Sequence, residues 1–149
     1  MVQGKWFAPG EDLSEEVLPL QRKIFGISGN NPDQAGWNTL VYLDQLPVAS
    51  GRIWWHEDAF WLGNIGVLPE YRGRRLGDLV LRLLLFKAQS HAAREVRLRC
   101  SQDTEAFFAR LGFYPVIRNY GTVEMKLPGD EISLDSCNAC KKTNCPNRR

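Results

Sequence analysis

Between Asn64 and Gly77 the chain reads Asn-Ile-Gly-Val-Leu-Pro-Glu-Tyr-Arg-Gly-Arg-Arg-Leu-Gly, and here residue types and spacing come closest to a chemistry. Arg72, Arg74 and Arg75 supply fixed positive charge, and a guanidinium fork matches the oxygens of a phosphate. Gly73 and Gly77 let the main chain approach a ligand closely. Leu79, Val80, Leu83, Leu84 and Phe86 recur at helical spacing and predict a helix from Gly77 to Ala93. The first amides of a helix have no partner inside it, and together with the helix dipole they form an anion site. From Arg72 through Arg99 there are eight basic residues against two acidic ones, Asp78 and Glu95, which suits a ligand with several phosphates. A basic turn alone reads as solvated arginines; the strand ahead of this one and the long helix behind it favour the anion site.

A second group of candidates sits near the C-terminus. Cys137-x2-Cys140-x4-Cys145 is spaced like part of a metal site, because two cysteines separated by two residues can reach one tetrahedral ion. A structural zinc would need a fourth ligand, from Cys100, His56, His91 or another subunit. Ferredoxin-like spacing is not matched. The competing reading is a solvated tail, in keeping with Lys141, Lys142, Arg148 and Arg149. The aromatic run Trp54-Trp55 with Phe60 and Trp61 reads mainly as core and sheet surface, and as the wall of an acceptor pocket in the alternative.

Most of the elements that must position these residues are strands. Lys5 to Ala8 reads as a short strand. Asp12 and Glu15 fit a capping box before a helix carrying Val17, Leu18, Leu20 and Ile24. Gly26 to Gly36 reads as a loop. Thr39 to Asp44, Val48 to His56 and Phe60 to Val67 are strand-like runs joined by tight turns at Asp44-Gln45-Leu46-Pro47 and Glu57-Asp58, which imply an antiparallel meander. Glu95 to Arg99 alternates as a strand, and with the preceding strand and helix it forms a βαβ unit with parallel strands. Asp103 to Leu111 reads as a short helix capped by Gly112, followed by a hairpin of Phe113 to Arg118 and Gly121 to Leu127 across Asn119-Tyr120. Two units follow: residues 1–128 as a folded domain and 129–149 as a cysteine-containing tail.

The whole chain sets outer bounds. Its 149 residues suffice for one domain with a real core, and 44% hydrophobic with 24% charged residues is the mix of a soluble globular protein. A net charge of +2 argues for neither a nucleic-acid nor a membrane partner. No apolar run has the ~18 residues of a membrane helix, and the N-terminus has no signal core, so the expected location is cytoplasmic.

Val67 to Gly77 resembles the acyl-CoA-binding motif of the GCN5-related N-acetyltransferase (GNAT) superfamily: Arg or Gln, two residues, Gly, one residue, Gly or Ala. Thr104 to Phe113, with its Leu111-Gly112-Phe113 ending, resembles the family's second signature, and the order of elements over about residues 5 to 127 agrees. The resemblance implies an α/β (α+β) fold, with a mixed, strongly twisted sheet of about 6–7 strands and about four helices. Two parallel strands, Phe60 to Val67 and Glu95 to Arg99, would splay to admit the cofactor. It further implies an acyl-CoA-dependent N-acyltransferase moving acetyl from acetyl-CoA to a small-molecule or peptide amine by direct attack in a ternary complex. The alternative is a non-catalytic acyl-CoA-binding module. A homodimer is one arrangement known in the family. Ile65, Gly66 and Val67 would hold the pantetheine arm and thioester carbonyl, the loop Arg72, Gly73, Arg74, Arg75, Leu76, Gly77 the pyrophosphate, and Phe108 would lie beside the thiol. Arg75 replaces the motif's middle glycine, and its backbone must be helical with the side chain turned away, or the side chain must itself meet phosphate. Phe108 stands where many members carry a tyrosine that protonates the departing thiolate, leaving water, Tyr114 or Tyr120 for that task. Trp61 stands at the position of the glutamate that serves some members as base. His56 is an alternative base if it faces the cleft, Glu57 and Asp58 read as solvated turn charges, and Cys100 reads as a small buried residue.

Overall fold

The computed structural model describes residues 1–26 and 36–134. Strands β1 (Val2–Phe7), β2 (Trp37–Leu43), β3 (Leu46–His56) and β4 (Ala59–Val67) form an antiparallel meander. Strand β5 (Glu95–Ser101) joins β4 in parallel, and the hairpin of β6 (Tyr114–Asn119) and β7 (Thr122–Pro128) completes a seven-stranded sheet in the order β1-β2-β3-β4-β5-β7-β6. Helix α1 (Val17–Phe25) follows β1, α2 (Leu76–Ser90) crosses from β4 to β5, and α3 (Glu105–Ala109) precedes the last hairpin. The mixed sheet is the one expected. The described residues hold three α-helices where about four were expected.

The meander is dictated locally. Asp44 and Gln45 have φ of 51° and 71°, and Glu57 and Asp58 have φ of 50° and 63°. Two successive left-handed residues twist a hairpin in the sense its strands need. The first turn is tighter than expected, since Leu46 and Pro47 already pair with Leu43 and Tyr42. The last hairpin turns one residue later than expected, at Tyr120-Gly121, because Gly121 supplies the φ of 70°. The capping box does not form. Asp12 Oδ1 accepts from the Ser14 amide at 2.9 Å and closes a local turn, and α1 starts only at Val17 with no side-chain cap. Glu16 is drawn to the sheet, accepting from Lys5 Nζ at 2.8 Å and Tyr42 Oη at 2.5 Å.

The two long helices lie on opposite faces of the sheet. A side chain added at Gly51 of β3 would strike Val80 Cγ1 at 2.5 Å, so α2 presses on that face. One added at Gly66 of β4, which pairs with the neighbouring Ser50, would strike Ile24 Cγ2 at 2.5 Å, so α1 presses on the other. Helix α2 buries Val80, Leu81, Leu84 and Leu85 completely on the sheet face that carries Ile53, Leu62, Val96 and Leu98. Each leucine so buried contributes about 1.5–3 kcal/mol relative to an exposed one. After β7, the Gly129 amide donates to the Arg94 carbonyl at 2.7 Å, and Ile132 packs into the core.

Candidate functional site

The two parallel strands part midway. Phe60, Trp61 and Leu62 of β4 pair with Val96, Arg97 and Leu98 of β5, and there the pairing stops. Strand β5 continues straight, paired with β7 as far as Ser101. Strand β4 turns away because it carries a bulge: Arg52 pairs with Gly63 and Ser50 with Gly66, so Gly51 alone faces both Asn64 and Ile65. Asn64 takes a left-handed φ of 51°, which asparagine tolerates, and Ser50 Oγ donates to its carbonyl at 2.9 Å. The strands separate around a cleft of about 670 Å³.

Ile65, Gly66 and Val67 form the β4 wall of this cleft, with Arg72 and Gly77 at its α2 end and Phe108 with Phe107 on the α3 side. The rest of the expected loop stands differently. Gly73, at φ 84°, Arg74 and Arg75 form the loop without lining the cleft, and the Leu76 side chain is buried in the core. Arg75 is left-handed at φ 61° rather than in the ordinary helical region. A glycine would be at ease in that conformation, and arginine holds it at a cost of about 1 kcal/mol. The first α2 bond runs from the Leu79 amide to the Arg75 carbonyl at 3.1 Å, so the amides of Leu76, Gly77 and Asp78 precede it with no helical partner. Arg72 Nε donates to the Val67 carbonyl at 3.2 Å, tying the loop to the end of β4.

None of the proposed proton carriers reaches the cleft. His56 pairs with Ala59 at the opposite end of β4, more than half exposed, with Nε2 3.7 Å from the Glu57 carboxylate. Tyr114 and Tyr120 project from the exposed edge hairpin. His91 packs against Trp37 and Phe60 where β5 begins, away from the parting strands. Trp61 is buried, and its Nε1 donates to the His56 carbonyl at 3.2 Å. Cys100 does line the cleft, but burial pushes its thiol upward, which makes it a poor thiolate. No Asp, Glu or His is among the described lining residues. Cys137, Cys140 and Cys145 lie outside the described residues, among which no three His, Cys, Asp or Glu gather as a metal site. No described helix is long and apolar enough to cross a membrane.

Sequence reasoning missed the contributions of Ile24, Phe25, Asn64, Arg99 and Thr104 to the lining. The Gly63-Asn64-Ile65-Gly66 run was a usable bulge signal. Arg99 lies on the α1 face: its guanidinium sits 4.7 Å from the Trp61 ring centroid, and Nε donates to Glu124 Oε1 at 3.1 Å. Arg97 Nη1 donates to the other Glu124 oxygen at 2.8 Å, and Arg52 stacks on Trp54 at 4.5 Å. Glu95 is held below the usual glutamate range, chiefly by its hydrogen bond from Arg97 and further by Lys126.

The sequence model described as "Acetyltransferase (GNAT) family" matches residues 6–113. No curated protein matches. Among solved structures, an acyl-CoA N-acyltransferase from Pseudomonas aeruginosa superposes with a TM-score of 0.74 at 19% identity, over 85% of this chain and 99% of that one. The ribosomal-protein-S18-alanine N-acetyltransferase from Escherichia coli superposes with a TM-score of 0.68 at 19% identity, over 85% and 94%. A family acetyltransferase from Elizabethkingia anophelis with acetyl-CoA bound gives 0.69 at 10% identity, over 85% and 97%. At these identities the likeness is one of fold.

Proposed function

The chain belongs to the acetyltransferase (GNAT) family, and from that premise we propose that it transfers acetyl from acetyl-CoA to a primary amine by direct attack in a ternary complex. One observation carries this reading. The cleft passes through the sheet, with Arg72 and Gly77 at the start of α2 on one side and Arg99 with the end of α1 on the other. Two substrates can therefore meet in it from opposite faces.

The residues suit a pyrophosphate-bearing thioester. The open amides of Leu76, Gly77 and Asp78 and the charge of Arg72 and Arg74 would hold the phosphates. A side chain at Gly73 would meet nothing within 4 Å, so the loop leaves room on that side. Unpaired main-chain groups of β4 beyond Leu62 would take the pantetheine amides, and Ile65, Val67, Phe107 and Phe108 would keep water from the acyl carbon. The amine forms the new C–N bond as the C–S bond breaks, and the nitrogen gives up its proton to solvent. The thiolate, of a thiol with pKa about 8.5, leaves without an acid and is protonated from water. Catalysis then rests on positioning and on exclusion of water.

A second reading, a non-catalytic acyl-CoA-binding module, is favoured by Phe108 and by the lack of a lining Asp, Glu or His among the described residues. Calorimetry with acetyl-CoA and CoA tests both, comparing wild type with Arg72→Glu/Arg74→Glu. Micromolar binding lost in the double variant is the expected result, and turnover of an amine panel then separates enzyme from module. A folded wild-type protein that binds neither ligand would sink both readings.

A further inference from the structure

One rung of the sheet crosses the mouth of the cleft on the α1 face. Asn38 pairs with Arg52, Arg52 with Gly63, and beyond the parting, Arg99 pairs with Glu124. Gly63 and Arg99 each come one residue after the last β4–β5 pair, Leu62 with Leu98. Gly63 has no side chain, and the Trp54 ring covers it: a Cβ there would lie 2.9 Å from that ring. Trp54 and Trp61 pair with each other in register, each with a guanidinium stacked on it. Two indoles and two guanidiniums thus share the sheet face away from the pyrophosphate loop, and Arg99 is the one of the four that lines the cleft.

The charge there is positive by count. Arg52, Arg97, Arg99 and Lys126 stand against Glu95 and Glu124 on these strands. Both carboxylates are already engaged: Glu124 by Arg97 and Arg99, Glu95 by Arg97 and Lys126. Arg99 is the lining member of this set, with its side chain two-thirds exposed. It is held by Nε to Glu124 and by its face on Trp61, and no described residue accepts from Nη1 or Nη2. Those two nitrogens form the end of the fork that grips a carboxylate with two parallel bonds. Held on two sides, the guanidinium loses little freedom on binding.

We propose that Arg99 anchors an anionic group of the acceptor, so that the acceptor is a small primary amine that also carries a carboxylate. The inference rests on the acyltransferase reading above and deepens it. Arg99 is a specificity residue here, binding a part of the acceptor remote from the reacting nitrogen.

The test uses the full-length protein, acetyl-CoA, and a panel of α- and ω-amino acids, each beside its uncharged amide. With kcat/KM taken at the high-pH plateau, where each amine is neutral, wild type should favour at least one acid over its amide by about ten- to a hundredfold. Arg99→Gln should lose that margin, mainly through a raised KM for the acid. Its loss on the acid should exceed any loss on the amide, and Arg99→Lys should restore part of the preference. Equal use of acids and amides by wild type would overturn the proposal without any variant. So would an equal loss on both in Arg99→Gln, or acetyl-CoA binding with no acid turned over. Failure of wild type to bind acetyl-CoA would bring down the acyltransferase reading and this inference together.

Discussion

Phe108 and Trp61 stand where the family resemblance implies a tyrosine in many members and a glutamate in some, and both rings are buried. Among the described residues the lining offers no Asp, Glu or His, and burial pushes the thiol of Cys100 upward, so the proposed transfer relies on water for its proton. On that proposal the attacking amine arrives neutral from solution. kcat/KM is expected to rise about tenfold per pH unit and to level off at the acceptor's own amine pKa. Two acceptors whose amines differ in pKa should give profiles displaced by that difference. A plateau at one pH common to both would reveal a protein base. The identity of these side chains was readable in the sequence. Their burial, and the removal of His56, Tyr114 and Tyr120 from the site, was not, since alternation along a strand does not say which end of it meets the cleft.

At the scale of elements, the cleft exists because β4 holds one residue more than β3 offers opposite it, and because α2 clamps the short side of that mismatch. Gly51 faces the bulge with the side chains of Val80 and Leu84 closing directly over it. Gly51→Ala would put a methyl group 2.5 Å from Val80 Cγ1 and 2.9 Å from Leu84 Cδ1, both on fully buried side chains. The change is expected to cost about 1–3 kcal/mol, read as a lowered urea midpoint at unchanged slope. The strands, their tight turns and the βα order were legible from alternation and spacing. The start of α1 was not, because Asp12 closes a local turn with the Ser14 amide and the helix begins only at Val17.

For the molecule as a whole, binding and stability are linked. A ligand held at a hundredfold excess over Kd stabilises the folded state by about 2.7 kcal/mol, or roughly 5–10 °C in a domain of this size. Acetyl-CoA should raise the melting temperature of wild type by that amount and leave Arg72→Glu/Arg74→Glu unmoved at the same concentration. An equal rise in both proteins would place the ligand away from this loop.

The sequence by itself determined the class of fold, the order of its elements and the loop at the start of α2, because these depend on near neighbours: short turns between alternating runs, helical spacing of leucines, arginines clustered in a few positions. Tertiary structure alone decided that the parallel pairing stops after Leu62 and Leu98, that Leu76 turns into the core, and that Arg99 comes to the open face beside Trp61. Those outcomes hang on register between strands far apart in the chain. A single extra residue at Asn64 changes which groups face each other across the gap, and no local pattern records its partner.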